Sequence, residues 1–210
     1  MKNRNVRVPL AVLPLAVLVA FPAHAQTVAA RDLPETVVSA TRFSEPLASL
    51  PVGVSVITAD QIRAAGVSTV NEAVMKLLGV PGRQDSYGGG DYALDLRGFG
   101  ATSDSNQVVV LDGVRLNEAD LGGTRLAGIP IDSIERIEVL RGSGSVLYGE
   151  GATGGVIVIT TKAGNGSARR NSATLYGAVG SNDLRELRAG ATLASGGLSL
   201  DVHAQRRETD

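Results

Sequence analysis

The sequence has 210 residues with 20 basic and 21 acidic side chains, and its formal net charge is −1. This balance argues against nucleic-acid binding, because phosphates call for a clustered basic surface. The absence of cysteine excludes disulfides and thiolate chemistry, and aromatic residues, at 3%, are too few for the two aromatic girdles of a complete outer-membrane barrel.

The first 25 residues have the pattern of a cleaved secretory signal. Basic residues precede an almost wholly apolar run from Val8 to Phe21, and an Ala-x-Ala triplet predicts cleavage before Gln26. A membrane anchor is the alternative, but the run is shorter than the roughly 20 apolar residues that cross a bilayer. We therefore expect export, and a flexible N-terminus over residues 26–51.

A strand and two helices are predicted at the start of the globular part. Valines alternate with small residues over 52–56, as in a half-buried strand. Thr58 and Gln61 match a capping box that opens the first helix, and a second helix begins at Ser68 or Thr69. The apolar face of the second helix is predicted to consist of Val70, Ala73, Val74 and Leu77.

Turns and short strands follow. The Gly-rich polar stretch 82–91 is predicted to be a loop, and Tyr92–Leu96 a strand. Val108–Leu116 has the pattern of a β-hairpin, because its central Asp112-Gly113 pair accepts the positive φ of a tight turn. The other predicted elements are a loop over 117–128, a short turn capped by Asp132, a strand over 136–141, a helical turn over 146–149 and a buried strand over 156–161.

The strand over 136–141 has a charged face. Arg136 and Glu138 share a side, because they are two residues apart on a strand. Arg141 falls on the opposite side by strict alternation, unless a bend at Gly142 redirects it. Such a face is ordinarily solvated, and it gains a role only if a polar wall encloses the domain.

A G-x-G-x-x-G pattern occurs at Gly149, Gly151 and Gly154. Dinucleotide binding needs such a loop to open a helix, so that the pyrophosphate meets the helix N-terminus. Here the glycines lead into the strand that starts at Val156, which predicts a tight turn with close backbone packing. No nucleophile and base pair stands out in the sequence, so we expect neither catalysis nor a cofactor.

Three strand-length segments follow a small, polar and basic stretch at 164–171. They span 173–180, 184–194 and 198–205. In the second segment one face is apolar and the other polar, with Leu187, Ala189, Ala191 and Leu193 against Glu186, Arg188 and Thr192. This alternation suits barrel strands with a lipid side and a lumen side, but a soluble sheet with one solvated face would show it too. His203 is expected to be a surface or packing residue.

Four parts of the sequence lie in the order of a known family. They are the box Glu35-Thr36-Val37-Val38-Ser39-Ala40-Thr41, the segment Leu96-Arg97-Gly98-Phe99-Gly100, the hairpin Val110–Asn117, and Ile134–Gly142 continued by Tyr148-Gly149 and Gly154–Ile157. Together they resemble the plug domain of TonB-dependent receptors, in which the first is the TonB box. Two positions depart from the family's pattern: Ser143 stands where Pro is usual, and Val158 where Asn is usual.

The resemblance implies an α+β fold. A small mixed-sheet plug domain with short helices would span 52–163, and the first antiparallel strands of an incomplete outer-membrane β-barrel would span 164–210. It further implies a monomeric outer-membrane receptor for energy-coupled uptake of a ferric siderophore, haem or cobalamin. TonB, with the ExbB/ExbD inner-membrane complex, would pull on the box at 35–41. Because few residues precede the box, we expect transport without an added signalling domain.

The resemblance also implies roles for single residues. Plug–barrel contacts are expected from Arg97, Arg136, Glu138 and Arg141. Ligand contacts are expected on the outward loops 82–91, 98–107 and 117–128, from Ser86, Tyr87, Asp91, Tyr92, Phe99, Asn106, Asn117 and Arg125. The alternative function is a truncated, non-transporting binding module in the periplasm, consisting of the plug alone.

Overall fold

The computed structural model describes residues 36–37, 45–46, 53–84, 90–117, 123–142, 145–163, 171–195 and 198–208. All of these stretches lie in one compact unit, Pro34–Asp210. The predictions for the signal at 1–25 and for Ser86, Tyr87 and Ser143 fall outside the described residues. Among the helices that are described, none is long and apolar enough to cross a membrane.

Only two residues of the predicted TonB box, Thr36 and Val37, are among the described residues. They form β1 (Thr36–Val37), which pairs antiparallel with β2 (Glu45–Pro46). Thr36 lies opposite Pro46, and Val37 lies opposite Glu45. The backbone of the box is therefore extended at this point.

A mixed five-stranded sheet forms the centre of the domain. The elements are, in chain order, β3 (Gly53–Thr58), α1 (Ala59–Ala65), α2 (Val70–Leu78), β4 (Gly82–Gln84), β5 (Tyr92–Leu94), β6 (Gln107–Leu111), β7 (Val114–Arg115), β8 (Ile134–Arg141), α3 (Ser145–Tyr148) and β9 (Gly155–Thr161). The sheet order is β3-β8-β9-β6-β7, and β4 and β5 form a separate hairpin. Only β6 and β9 are parallel neighbours in this sheet. The mixed sheet with short helices confirms the predicted fold class.

The two longer helices begin as the sequence predicts. The hydroxyl of Thr58 accepts from Gln61 N at 3.3 Å, while the amide oxygen of Gln61 accepts from Thr58 N at 2.9 Å, which completes the capping box. Helix α2 is capped by the side chain of Thr69. Its predicted apolar face is wrong at one position, because Leu77 is 37% exposed whereas Asn71 is fully buried. Asn71 is held there by a hydrogen bond from its amide to a neighbouring carboxylate.

Apolar side chains cover both faces of the sheet. One face packs on α1 and α2, with Ile57, Ile137, Ile157 and Ile159 in that core. The other face has a smaller core that consists of Val108, Val110, Leu140, Ala152, Val156 and Val158. Strand β9 contributes to both cores, which explains why its sequence is a continuous apolar run rather than an alternating one.

Three local predictions need correction. The stretch 82–91 is not all loop, because Gly82–Gln84 pairs with β5 as β4. The strand predicted over Tyr92–Leu96 stops at Leu94, where the chain turns. Asp132 does not cap the turn Ile131–Ser133, which follows Pro130 without a side-chain cap.

Three further short 3-10 turns lie in the loops, at Gly100–Thr102, Asp104–Asn106 and Leu126–Gly128.

The glycine pattern at 149–154 forms a tight turn, as predicted. Gly149 and Gly151 have φ angles of 79° and 85°. A Cβ on Gly154 would lie 2.7 Å from the carbonyl oxygen of Asn106, and one on Gly155 would lie 2.4 Å from that of Leu140. The glycines therefore let neighbouring backbones approach closely, and they lead directly into β9.

A separate three-stranded antiparallel sheet follows. It consists of β10 (Ser172–Val179), β11 (Arg185–Ser195) and β12 (Leu198–Glu208), with β11 in the middle. Ala189 of β11 pairs with Leu175 on one side and with Ala204 on the other. The predicted strand segments are confirmed: β10 lies one residue earlier than predicted, β11 one residue later, and β12 extends three residues beyond its predicted end.

We predict that Gly155→Ala lowers the free energy of unfolding by about 2–3 kcal/mol, because the new methyl group meets backbone in a filled core. Gly53→Ala is the matched control, since nothing lies within 4 Å of a Cβ there. The control should stay within about 1 kcal/mol of the parent. Urea unfolding followed by circular dichroism measures both, and equal losses would contradict the packing explanation.

Candidate functional site: the contact between the plug and the three-stranded sheet

The central strand of the three-stranded sheet buries its polar face and exposes its apolar face. Glu186 and Arg188 are 6% and 5% exposed, whereas Leu187 and Leu193 are 56% and 59% exposed. A soluble sheet with one solvated face would have the opposite arrangement, because apolar surface is buried first. Of the two interpretations that the alternation left open, the structure therefore favours a wall strand with its polar side turned toward the domain.

Arg188 is the centre of this contact. Its Nε lies 3.3 Å from Glu186 Oε1 and 3.5 Å from Asp132 Oδ2. Its Nη1 donates to the carbonyl oxygen of Val67 at 3.4 Å, and its Cζ lies 3.9 Å from the centre of the Tyr176 ring. The guanidinium thus joins two strands of the sheet to two separate segments of the plug.

The plug side of the contact includes the connection between α1 and α2, the first turn of α2 and the turn Leu126–Gly128. The hydroxyl of Ser68 donates to Glu186 Oε2, and Glu72 Oε1 lies 2.9 Å from Arg207 Nη1 of β12. A further contact joins Gln205 Nε2 to the carbonyl oxygen of Ala127 at 3.3 Å. The polar face of β11 and β12 is therefore paired with groups of the plug at residues 186–188 and 205–207, and Thr192 pairs with Asp201 within the sheet.

His203 lies on the same face and packs over Gly190, its cross-strand partner. A Cβ on Gly190 would lie 2.9 Å from the ring nitrogen Nδ1 of His203. The glycine therefore makes room for the imidazole, which agrees with the expectation that His203 is a packing residue.

The charged strand face is buried rather than solvated. Arg136 Nε lies 2.7 Å from Glu138 Oε1, and Glu138 is fully buried. Arg141 is on the opposite side, as strict alternation predicts, and its Nη2 donates to the carbonyl oxygen of Leu78 at 2.7 Å. That carbonyl belongs to the last residue of α2, where a cation is favourable. The exposed Arg97 lies near Gly142.

Roles in barrel contact for Arg97, Arg136, Glu138 and Arg141 stay predictions.

The hairpin at 110–117 is held by its own polar side chains. Asp112 has a φ of 48°, and its carboxylate accepts from Thr161 N at 2.8 Å and from Thr161 Oγ1 at 2.7 Å. Asn117 Oδ1 accepts from Val109 N at 2.7 Å, and its Nδ2 donates to Gln107 O at 3.0 Å. The side-chain amide of Asn117 thus continues the strand pairing of β7.

Two other predicted ligand residues are similarly engaged. Asp91 Oδ1 accepts from Asn71 Nδ2 at 3.2 Å and from Ala127 N at 2.7 Å. Asn106 Nδ2 donates to the carbonyl oxygen of Thr102 at 2.8 Å. These side chains stabilise the loops through hydrogen bonds inside the plug.

The remaining described ligand candidates are Tyr92, Phe99 and Arg125. Tyr92 is half-buried in β5, Phe99 is partly exposed with its ring against Gly154, and Arg125 is exposed beside the turn Leu126–Gly128. Their ligand contacts stay predictions.

A cleft of about 300 Å³ lies beside one of the predicted ligand loops, 98–107. It lies between the β4–β5 hairpin and the loop that follows β5. The lining residues are Pro81, Gly82, Arg83, Ala93, Asp95, Gly100, Ala101 and Ser103.

Residues 46–156 match the model of a protein family described as the TonB-dependent receptor plug domain. The chain belongs to this family. The match spans more than half of the chain, and it covers β3 to β8, the three helices and the first two residues of β9.

Curated relatives point to the same family. The chain is 36% identical over 154 residues to a vitamin B12 transporter, BtuB, of Vibrio vulnificus, which covers 73% of this chain and 24% of that protein. It is 38% identical over 125 residues to the BtuB of Photobacterium profundum, covering 60% and 20%. The chain thus spans about a quarter of these relatives. They are named as transporters, in agreement with the prediction that the plug is not an enzyme.

Solved structures share the fold. The ferripyoverdine receptor of the outer membrane of Pseudomonas aeruginosa has a TM-score of 0.66 and 20% identity, and the match covers 83% of this chain and 22% of that one. The alcaligin outer-membrane receptor of Bordetella pertussis has a TM-score of 0.64 and 20% identity, covering 84% and 30%. Both matches extend beyond the plug, since they cover more of this chain than the plug occupies.

The residues that join plug and sheet were not among those predicted for this contact. They are Val67, Ser68, Glu72, Ala127 and Asp132 of the plug and Glu186, Arg188, Gln205 and Arg207 of the sheet, with Tyr176 of the sheet packed on Arg188. The alternation of β11 and β12 showed that Glu186 and Arg188 share a face. No local pattern identifies Ser68 as a partner of Glu186, because 118 residues separate the two.

We predict that Arg188→Met destabilises the contact between plug and sheet by about 3–5 kcal/mol, because it leaves the carboxylate of Glu186 buried beside no cation. Arg206→Met is the control, because Arg206 pairs with Glu208 at the exposed face. The control should cost under about 1 kcal/mol. Chemical unfolding of each variant measures the difference, and an Arg188 variant as stable as the control would rule out a central role.

Proposed function

We propose that this chain is the plug and the first wall strands of an outer-membrane receptor that imports a scarce ligand with energy from TonB. The observation that carries the proposal is the orientation of the three-stranded sheet. Its polar face pairs with the plug, and its apolar face is turned away. A strand needs this arrangement when it separates a filled polar lumen from lipid.

The exposed apolar face supports a location in the outer membrane. It includes Leu175, Val179, Leu187, Leu193, Leu198, Leu200 and Val202, all more than half exposed. Each such side chain gains about 1.5–3 kcal/mol when it leaves water. Seven of them on one small sheet favour an apolar surrounding, which the hydrocarbon of a bilayer supplies.

The box at 35–41 supports coupling to TonB and the ExbB/ExbD complex. An extended peptide can add itself as a strand to the sheet edge of a partner. Thr36 and Val37 already have extended backbone, as such an addition requires. A pull on this segment would act on β3, which follows the box in the chain and is an edge strand of the plug sheet.

Cobalamin is the first ligand to test, with ferric siderophores and haem as alternatives. The relatives at 36–38% identity are named vitamin B12 transporters, whereas the siderophore receptors share the fold at about one-fifth identity. The cleft between the β4–β5 hairpin and the following loop would face the ligand.

A periplasmic plug without a wall is the second candidate function. No described contact favours it, since such a module would leave the apolar face of β10–β12 in water.

Uptake measured in cells tests the proposal. A strain without its own cobalamin and siderophore receptors would express the gene for this chain at its natural length. We expect TonB-dependent uptake of labelled cyanocobalamin, and the same cells would be offered ferric hydroxamates, ferric catecholates and haem. Recovery of the product in the soluble periplasmic fraction, or no TonB-dependent uptake of any of these ligands, would overturn the proposal.

We predict that Val37→Pro abolishes uptake and leaves ligand binding to isolated outer membranes unchanged. Proline has no N–H to donate to a partner strand, so it blocks strand addition at the box. Ala30→Pro, placed before the box, is the control and should transport normally. Equal transport by the two variants would show that the box does not act as an added strand.

A further inference from the structure

Asp95 lies where β5 has ended and the chain turns into a predicted ligand loop. Its carboxylate accepts hydrogen bonds from four successive backbone N–H groups. Oδ1 accepts from Arg97 N at 3.2 Å, Gly98 N at 2.6 Å and Phe99 N at 2.9 Å, and Oδ2 accepts from Gly100 N at 2.7 Å. Both oxygens are therefore engaged by the loop itself.

The four N–H groups converge because the backbone of the loop alternates in handedness. Gly98 and Gly100 have φ angles of 82° and 61°, and Phe99 between them has a φ of −75°. Successive N–H groups in such a conformation point into one concavity, which binds anions. In this loop the bound anion is the side chain of Asp95.

Asp95 is charged at neutral pH. Burial raises the pKa of this carboxyl, but the four N–H groups lower the pKa by more, and the net shift is downward. The charged side chain that lines the same cleft is Arg83 of β4. Hydrogen bonds to a charged acceptor are roughly twice as strong as those between neutral groups.

The loop that Asp95 holds contributes to two features of the ligand side. The ring of Phe99 lies about 3.1 Å from the position of a Cβ on Gly154, so the ring rests on the glycine turn before β9. Gly100, Ala101 and Ser103 line the cleft. One carboxylate thus sets the position of an aromatic ring and of one wall of the cleft.

We propose that Asp95 is a positioning residue, which holds the loop at 97–103 in the shape that binds ligand. The proposal rests on the proposed function, in which this loop faces the ligand. An asparagine at position 95 has nearly the same shape, but it is uncharged and one of its two acceptor oxygens becomes an NH₂ donor. Such a substitution should release the loop while leaving the plug folded.

Amide hydrogen exchange tests the hold on the loop directly. In Asp95→Asn, the amides of Gly98, Phe99 and Gly100 should lose protection by about tenfold or more, because charge-assisted hydrogen bonds are lost. Asp60→Asn removes the same charge at an exposed position on α1, and it should leave these amides unchanged. Amides in β9 report on the fold in both variants. Unchanged loop protection in Asp95→Asn would overturn the proposal.

Ligand binding tests the consequence. Outer membranes that contain the full-length variant would be titrated with cyanocobalamin and with ferric hydroxamate and ferric catecholate siderophores. For a probe that the parent binds, Asp95→Asn should raise the Kd by about tenfold with the number of sites unchanged. The parent affinity should also fall once the pH is low enough to protonate Asp95, whose lowered pKa places this step below the range of an ordinary aspartate, whereas the variant should lack it.

The outcomes separate the two proposals. If the loop loses protection but the Kd for a bound probe is unchanged, the positioning role of Asp95 is overturned, whereas the proposed function as a receptor is still supported. Binding of no probe by the parent would count against the proposed function, and the exchange rates would still decide whether Asp95 holds the loop. A loosened loop together with a raised Kd supports both.

Discussion

The contact between plug and sheet depends on one buried guanidinium, which must have oxygen partners around it. The charged guanidinium of Arg188 is almost fully buried. Without a partner, that charge would lower the stability of the fold by on the order of several kcal/mol. The guanidinium is paired by groups from three different segments, which are the carboxylates of Glu186 and Asp132 and the carbonyl oxygen of Val67. Because all three must be in place together, the α1–α2 connection and the turn Ile131–Ser133 have one position against the strands.

The plug sheet can present these groups reliably because its backbone is closely packed. Strand β9 has apolar cores on both faces, and the glycines before it admit the carbonyl oxygens of Asn106 and Leu140 where a side chain would clash. Polar side chains complete the loops from inside, as Asp91 does between Asn71 and Ala127. Rigid strands and internally bonded loops are what a surface needs if it is to be held in one shape for a ligand.

Local chemistry predicted most of the fold and little of the contact. The capping box at Thr58, the Asp112-Gly113 turn and the apolar run of β9 are signals within a few residues, and the structure confirms them. The errors arose where contacts with distant residues, rather than the local sequence, determine the burial or the hydrogen bonds of a side chain. Asn71 is buried because Asp91 lies opposite, and Asp132 turns toward Arg188 rather than capping its own turn. The pairing of Ser68 with Glu186 depends on how two distant segments fold together, so no pattern in the sequence contains it.

The short pairing of β1 with β2 has a consequence for the free energy with which a partner strand would bind the predicted box. A disordered peptide loses roughly 1–2 kcal/mol of backbone entropy for each residue that it orders as a strand. Thr36 and Val37 are already extended and paired with Glu45 and Pro46. At these two positions a binding partner therefore does not have to order the backbone. A partner strand that takes the place of β2 beside β1 replaces one set of backbone hydrogen bonds with another. Under the proposed coupling to TonB, such an exchange would start from these two extended residues, in the manner of strand displacement between nucleic-acid duplexes.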